Sequence, residues 1–395
     1  LRRIHIDPKT EEAIFHASES DPYGLSLTLK DYPAEDRIFI ATQIGARQKA
    51  RDKIPDYYNH RQVLYPSVTA VEQASSSIAA RYKAALIRGG TLIDMTGGLG
   101  VDAYFFSKSA EKVIYIERNE DLAEYAGHNF HVLGIKNIEI VKGDSLDYVR
   151  KTRKTPACIY VDPSRRQGSK RTFKIEEGEP DISELYQELV RKAVRVIFKL
   201  SPYLDIKYLI QHFHFIREIH VLAIDQDCKE IILVLDKNNY SDDPDVITWS
   251  REKDQENIHV TSWGKNETPC EFDHPRSFIY DPNVAIRKTG LYNDLGLRFN
   301  LKKLAPNSHL FTADDHVDSF PGRVFKLSGI LSMKDFLKTK VIKKANIATR
   351  NFRLKVSEIR KKTGIQEGGD LYVFCTTNTE NEPMVLVTHK IDPKK

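Results

Sequence analysis

Two spacings of apolar residues run along the chain, and the switch between them divides it. In AEDRIFIATQIGARQKARDKI (34–54) the apolar residues recur at helical spacing, with Lys and Arg on the other face. Residues 1–62 as a whole read as polar and helical, and VEQASSSIAARYKAALI (71–87) reads as a further helix. From residue 91 onward, short apolar runs alternate with helix-like segments: TLID 91–94, KVIYIE 112–117, EDLAEYAGHNFHVLG 120–134, IEIVKGD 138–144, ACIYVDP 157–163, ISELYQELVRKA 182–193 and VIFKL 196–200. That alternation predicts βαβ units and a parallel sheet, an α/β fold of Rossmann-like type. The runs IREIHVLAID (216–225) and KEIILVLD (229–236) are separated by QDC alone. So short a connection permits an antiparallel hairpin and no parallel crossover.

Beyond Asp236 the polar stretches KNNYSDDPD and SREKDQEN are rich in turn residues, so a boundary is expected within 240–275. The remainder alternates more weakly. It contains the strand candidates RVFKLSGIL (323–331), DLYVFCTT and MVLVTHKI, and the basic helix candidate VSEIRKKTG with Gly364 as its stop. Small α+β modules are expected there.

Composition narrows the picture only a little. Hydrophobic residues make up 41% and charged residues 29% of 395, ordinary values for a globular chain. No run of about 18 apolar residues suggests a membrane span. The opening LRRIHIDPKT has no apolar signal-peptide core, and its first residue, Leu in place of Met, suggests a trimmed or processed chain. Cys158, Cys228, Cys270 and Cys375 are scattered without metal or disulfide spacing, which suggests a reducing, cytoplasmic setting. His128 and His131 share a helix but lack a third ligand, so no metal site is expected. The net charge of +5 says less than its distribution. Between Lys338 and Lys362 there are ten Lys or Arg against the single acid Glu358, and Lys343, Lys344, Arg350, Arg353 and Arg360 are the nucleic-acid-binding candidates there. RQKARDK (47–53) is a second basic cluster, and Arg165, Arg166, Lys170 and Arg171 make a third.

The chemistry concentrates at the ends of the strand-like runs. TLIDMTGGLGVD (91–102) is a strand, a glycine turn and a helix start, the arrangement that brings backbone close to a ligand. A P-loop needs Lys and Ser/Thr after its last glycine, yet Gly100 is followed by Val101 and Asp102. Pyrophosphate would meet the same acid at the helix start. Asp94 and Asp102 instead suit a ligand carrying an ammonium and a sulfonium, as S-adenosyl-L-methionine does. Glu117, with Arg118 beside it, ends the second run and can accept two ribose hydroxyls, which suits NAD and S-adenosyl-L-methionine equally. Asp144 can accept from an adenine amine while the Ser145 N–H donates to a ring nitrogen. Asp162 and Pro163 end the fourth run, at the edge where such sheets carry their chemistry.

At these residues the chain resembles class I S-adenosylmethionine-dependent methyltransferases, over about 70–238. Their sheet closes on an antiparallel hairpin, as expected here. DMTGGLGVD looks like their first motif, D-x-T-x-G-x-G-x-D, with Thr96, Gly97, Gly98 and Gly100 as the cofactor turn. Gln73 and Ser75 lie on the preceding helix, where related enzymes hold the methionine carboxylate. VDPSRR is similar to the DPP or NPP tetrapeptide of RNA base methyltransferases. The whole chain resembles bacterial proteins that join this domain to a ferredoxin-like segment and a C-terminal THUMP-like domain, through EQASSSIAARYKA, DPSRR, YDPNVAIRKTG, APNSHLFT, FPGRVFK and GGDLYVFCTT. The expected division is a helical region 1–62, a methyltransferase domain 63–238, a linker and ferredoxin-like segment 239–325, and a THUMP-like RNA-binding domain 326–395.

The resemblance implies an RNA partner, tRNA or rRNA, and methyl transfer to an exocyclic base amine held by Asp162 and Pro163. Ser164 and Arg165 stand where amine methyltransferases usually place a stacking aromatic. Arg165 could stack by its guanidinium plane or clamp phosphate with Arg166. Pyrimidine C5 methyltransferases carry a cysteine after the fifth strand, where this chain has Leu200 and Ser201, so carbon methylation is not expected. A protein or small-molecule methyltransferase, a non-catalytic RNA-binding scaffold and, more distantly, an NAD enzyme are the alternatives.

Overall fold

The structure, a computed structural model, describes residues 6–17, 19–22, 24, 29, 32–165, 175–338 and 341–391. The chain forms two compact units, Leu1–Ile216 with Leu233–Tyr240, and Arg217–Ile232 with Ser241–Lys395.

The first unit opens on helices Pro8–His16, Ala34–Lys53, Pro55–Tyr58, Val68–Gln73 and Ser77–Ala85. Helix Ala34–Lys53 buries Phe39, Ile40, Ile44, Ala46 and Ala50 on one stripe, and Arg47, expected on the other face, is buried with them and bonds the carbonyls of Tyr58, His60, Arg61 and Val63. Two buried amides fasten the strand-like segment that follows. The Gln43 side chain accepts from the Tyr65 N–H (3.0 Å) and donates to the Tyr65 carbonyl (2.7 Å). Asn129 does the same for Leu64, at 2.9 and 2.8 Å. Each amide supplies the two partners that a neighbouring strand would, so no buried backbone group there is left unpaired.

The strands of this unit are β1 (Thr91–Asp94), β2 (Lys112–Glu117), β3 (Ile138–Lys142), β4 (Cys158–Val161), the short pair β5 (Ser164–Arg165) and β6 (Gly178–Glu179), and β7 (Arg195–Leu200). Strands β7, β4, β1, β2 and β3 lie in that order and are parallel throughout. All four residues of β4 are buried, as are the central four of β2. Burial on both faces explains why these runs read as continuous apolar stretches. The order reverses between β1 and β4, so a crevice opens at their carboxyl ends, where α/β sheets take ligands. Asp94 and Asp162 stand at those two neighbouring ends.

Strands β8 (Ile216–Ile224) and β9 (Asp227–Leu235) form the expected hairpin. Its two-residue turn, Asp225 and Gln226, takes φ of 50° and 64°, a type I′ geometry that matches strand twist. In the second unit β10 (Asp245–Glu252) runs parallel to β8 and antiparallel to β11 (Gln255–Ser262). These strands occupy part of the stretch expected as a linker, because its charged residues fall on their solvent-facing positions and turns.

The rest of the second unit is a seven-stranded sheet. It comprises β12 (Phe278–Pro282), β13 (Lys302–Lys303), β14 (Phe311–Ala313), β15 (Gly322–Ser332), β16 (Asn346–Thr349), β17 (Leu371–Thr377) and β18 (Pro383–Lys390). The order is β13-β14-β12-β15-β18-β17-β16, antiparallel except for the parallel pair β16 and β17. Helix Val356–Thr363 ends on Gly364 at φ 74°, as its sequence implies. Among the described residues no helix is long and apolar enough to cross a membrane.

Candidate active site at the strand tips

The turn after β1 is built by close packing. A Cβ on Gly97 would lie 2.4 Å from the Tyr115 ring and 2.9 Å from the Ile116 carbonyl, so only glycine lets the turn rest on β2. Gly100 sits at φ 81° immediately before helix Val101–Phe106, and a Cβ there would meet Phe130 at 2.6 Å. The Tyr115 hydroxyl donates to the Gly98 carbonyl (2.6 Å) and fixes the turn from below.

The acids divide into three kinds. Glu117 is clamped by backbone: Gly98 N–H donates to its Oε2 and Asn119 N–H to its Oε1, both at 2.8 Å. A carboxylate has about four lone-pair sites, so two remain for a diol. Asp94 is 1% exposed. Its Oδ1 accepts from the Thr96 N–H (3.0 Å), while its Oδ2 is buried without a partner. Burial, reinforced by Asp102, Asp162 and Glu117 and opposed by the Thr96 N–H, pushes its carboxyl up to about 8. Asp102 belongs to an internal network. The wholly buried Lys83 ammonium lies 3.0 Å from its Oδ1, and Ser75 and Tyr160 hydroxyls donate to its Oδ2 at 2.8 and 2.9 Å. Burial raises that carboxyl, but the Lys83 and Lys199 ammonium groups and Ser75 outweigh it, and the net shift is downward.

Asp162 completes the group. Its N–H donates to Thr96 Oγ1 (2.7 Å), which ties the β4 tip to the β1 turn. Its Oδ2 accepts from Lys199 Nζ at 2.5 Å. Among the described residues no protein group donates to its Oδ1, and the side chain keeps 32% exposure. Pro163 follows, then β5 pairs with β6, aligning Ser164 with Glu179.

The structure thus brings together Asp94, Thr96, Gly97, Gly98, Gly100, Asp102, Glu117, Asp162 and Pro163. Ser75 is committed to Asp102 and Lys83, and Gln73 is exposed at the end of its helix. Asp144 caps helix Ser145–Lys151, its Oδ1 accepting the Asp147 N–H (2.9 Å), and its other oxygen meets no donor among the described residues. Ser145 opens that helix, so its N–H is one of the donors a helix start leaves free. Arg118 is exposed and paired with Glu179 at 2.6 Å. Arg165 lies in β5; Arg166, Lys170 and Arg171 fall outside the described residues. Lys343, Lys344 and Arg353 are exposed. Arg360 donates to the Ile365 and Ala345 carbonyls and Arg350 binds Asp281, so both also hold the fold. Lys83 and Lys199 were not anticipated. Lys199 does carry a signal, a charge interrupting the apolar run VIFKL beside the sheet's carboxyl edge.

Four carboxyl groups (Asp94, Asp102, Glu117, Asp162) therefore meet two ammonium groups (Lys83, Lys199). With Asp94 largely protonated near neutrality the excess of negative charge is small, but that excess, the orphaned Asp94 oxygen and the glycine turn fit a cationic nucleoside such as S-adenosyl-L-methionine. Phosphate fits poorly at such a place.

Comparison with known proteins agrees. A ferredoxin-like domain model matches residues 278–321 and a THUMP domain-like model matches residues 322–390. A crystal structure from Porphyromonas gingivalis W83, of a protein provisionally assigned as a methyltransferase, is 30% identical with a TM-score of 0.89, covering 98% of this chain and 100% of that one. An S-adenosylmethionine-dependent methyltransferase of Mycobacterium tuberculosis, itself uncharacterised, is 22% identical over 254 residues, 62% of this chain. The match spans 64% of that relative's length. An uncharacterised RNA methyltransferase of Clostridium acetobutylicum is 35% identical over 75 residues, 19% of this chain and 16% of that one. With its strand order, its acid-tipped strands and a relative aligned end to end, the chain belongs to the class I S-adenosylmethionine-dependent methyltransferases that carry a ferredoxin-like segment and a C-terminal THUMP-like domain.

Proposed function

We propose that this chain transfers a methyl group from S-adenosyl-L-methionine to a base nitrogen, an exocyclic amine, of tRNA or rRNA. The observation that carries the reading is Asp162, whose Oδ2 is held by Lys199 while its Oδ1, beside Pro163, meets no donor among the described residues. When bound, the cofactor supplies the electrophilic methyl. Glu117 would hold its ribose, the backbone of Gly97–Gly100 would line it, Asp144 and Ser145 would meet its adenine, and Asp94 would face its cationic end.

An exocyclic amine is a poor nucleophile because its lone pair is delocalised into the ring. Asp162 Oδ1 and the Pro163 carbonyl would each accept one amine hydrogen, which localises the lone pair on nitrogen and aims it. Alignment of this kind is the main contribution a protein makes to an in-line displacement. Lys199 fixes the carboxylate, so Asp162 presents the same oxygen each time. After transfer the nitrogen carries one proton too many and sheds it. A base in a duplex must leave its stack to reach such a site. The THUMP domain-like match and the RNA methyltransferase among the relatives support an RNA partner.

The test incubates the protein and radiolabelled S-adenosyl-L-methionine with tRNA, rRNA, total protein and small-molecule extract from cells lacking the gene, with Asp162→Asn and Lys199→Met as controls. Label in one RNA fraction, lost in both variants, is the expected result. Label in protein or extract sinks the RNA reading. Cofactor binding with no label in any fraction favours the non-catalytic scaffold.

A further inference from the structure

Within the second unit one carboxylate is surrounded by more cations than it needs. Asp281, in β12, is wholly buried. Arg350 satisfies both of its oxygens: Nε and Nη2 reach Oδ1 at 3.1 and 2.9 Å, and Nη2 reaches Oδ2 at 3.0 Å. Arg323, its cross-strand neighbour on β15, donates Nη2 to Oδ2 at 2.6 Å. Arg287, on helix Val284–Thr289, donates Nη1 to Oδ1 at 3.2 Å and to the Pro282 carbonyl at 3.1 Å. Burial raises the Asp281 carboxyl, but Arg350, Arg287 and Arg323 outweigh it and hold it below the ordinary range. The carboxylate is therefore charged, and three guanidinium groups around one anion leave two positive charges unbalanced.

Those two charges also keep unused donors. Among the described residues, the remaining nitrogens, Nε and Nη2 of Arg287 and Nε and Nη1 of Arg323, have no protein acceptor. None of the four is a buried orphan, and the two side chains are 23% and 24% exposed, so these N–H groups reach solvent. Nearby, His309 stacks on Tyr292 at 4.0 Å. Burial first, then Lys303, Arg350 and Arg287, pushes the imidazole down to about 4, so it offers these cations no charge of either sign near neutrality. Among the described residues no second acid is paired with the arginines. Arginine forks held in place before binding suit phosphate, whose oxygens accept paired N–H groups and whose charge offsets the surplus.

We propose that Arg287 and Arg323, held beside Arg350 around Asp281, form a phosphate-binding site that grips a backbone phosphate of the RNA substrate. The proposal rests on the RNA reading above. It also gives a role to a cluster drawn from both family-matched segments, Asp281 and Arg287 from one, Arg323 and Arg350 from the other.

The test uses the full chain with Arg287→Gln and Arg323→Gln, singly and together. Arg350 is left in place so that Asp281 stays paired. RNA affinity is measured across salt concentrations, with thermal melting as the folding control and melting in inorganic phosphate as a separate arm. Each single variant should weaken RNA binding about tenfold near 0.1 M salt and make the plot of log K against log salt shallower by about 0.7–0.9. Inorganic phosphate should raise the melting temperature of the wild type saturably and leave the double variant unmoved. Wild-type affinity and slope in folded variants would overturn the site while leaving the RNA reading intact. A wild type without RNA affinity would overturn the RNA reading instead. The phosphate arm then decides: a saturable shift lost in the double variant means a free phosphate or nucleotide is the ligand and overturns the RNA assignment, and no shift overturns the site altogether.

Discussion

Replacing Asp94 by asparagine should remove a pH dependence from cofactor binding. The carboxyl is pushed up to about 8. At pH 7 roughly one tenth of the molecules then carry the anion, and at pH 9 roughly nine tenths do, by the titration curve of a single group. If Asp94 faces the cationic end of S-adenosyl-L-methionine, affinity should rise about tenfold over that interval, or ~1.4 kcal/mol, with close to one proton released per molecule bound at pH 7. The ligand's own amino group titrates in the same range, near about 7.7–8.0, so the informative quantity is wild type minus Asp94→Asn. Calorimetry from pH 6 to 9, in buffers of different ionisation enthalpy, reads both affinity and proton release. The two proteins should bind alike at pH 6 and diverge toward pH 9. Parallel curves with equal proton release would refute the reasoning and leave Asp94 a purely structural acid. The same shift has a stability consequence of known sign. A carboxyl raised on folding contributes stability that is complete below its unfolded pKa and is lost as pH rises toward 8, at up to about 1.4 kcal/mol per pH unit. Melting of the ligand-free protein should therefore fall between pH 5 and 8 by more in the wild type than in the variant.

Gly97→Ala should cost about 1–3 kcal/mol, because its Cβ would overlap the Tyr115 ring, and thermal melting should show it together with weakened cofactor binding. Lys83→Met should destabilise by about 3–5 kcal/mol, since it strands the Asp102 carboxylate, and the Lys83→Met, Asp102→Asn double variant should recover much of that in denaturant unfolding. Native-state alkylation should spare methyl transfer. Burial pushes the Cys158 and Cys375 thiols up to about 12 and Cys228 to about 11, so mass spectrometry should find all three slow to react.

The acid-tipped strands were legible because two signals coincide at each of them. An apolar run marks a strand buried on both faces, and the acid that ends it marks the sheet's carboxyl edge, so Asp94, Glu117 and Asp162 could be placed before their neighbours were known. The hairpin was legible from the length of its turn. Partnership between distant side chains was not. Asp102 stands in the first turn of a helix and looks like a ligand group; only the packing of helix Ser77–Ala85 against helix Val101–Phe106 reveals Lys83 behind it. RYKAA gives no hint, since a lysine on an amphipathic helix ordinarily lies at the surface. Strands β10 and β11 escaped notice for a related reason. One face is wet, and their Glu, Lys and Gln residues imitate a linker.

The two amide clamps on Leu64 and Tyr65 impose an order on the chain's own synthesis. Gln43 precedes Tyr65 and can bind it as soon as both have left the ribosome, whereas Asn129 lies 65 residues beyond Leu64. At about 5–20 residues per second, that partner arrives roughly 3–13 s later. Until then the Leu64 backbone pair has no Asn129 amide to bond, and the leading helices wait on the second βαβ crossover, the helix Glu120–Val132 between β2 and β3. Severed from it, the opening segment would be an unfinished piece of another domain's interior, with no independent life as a unit.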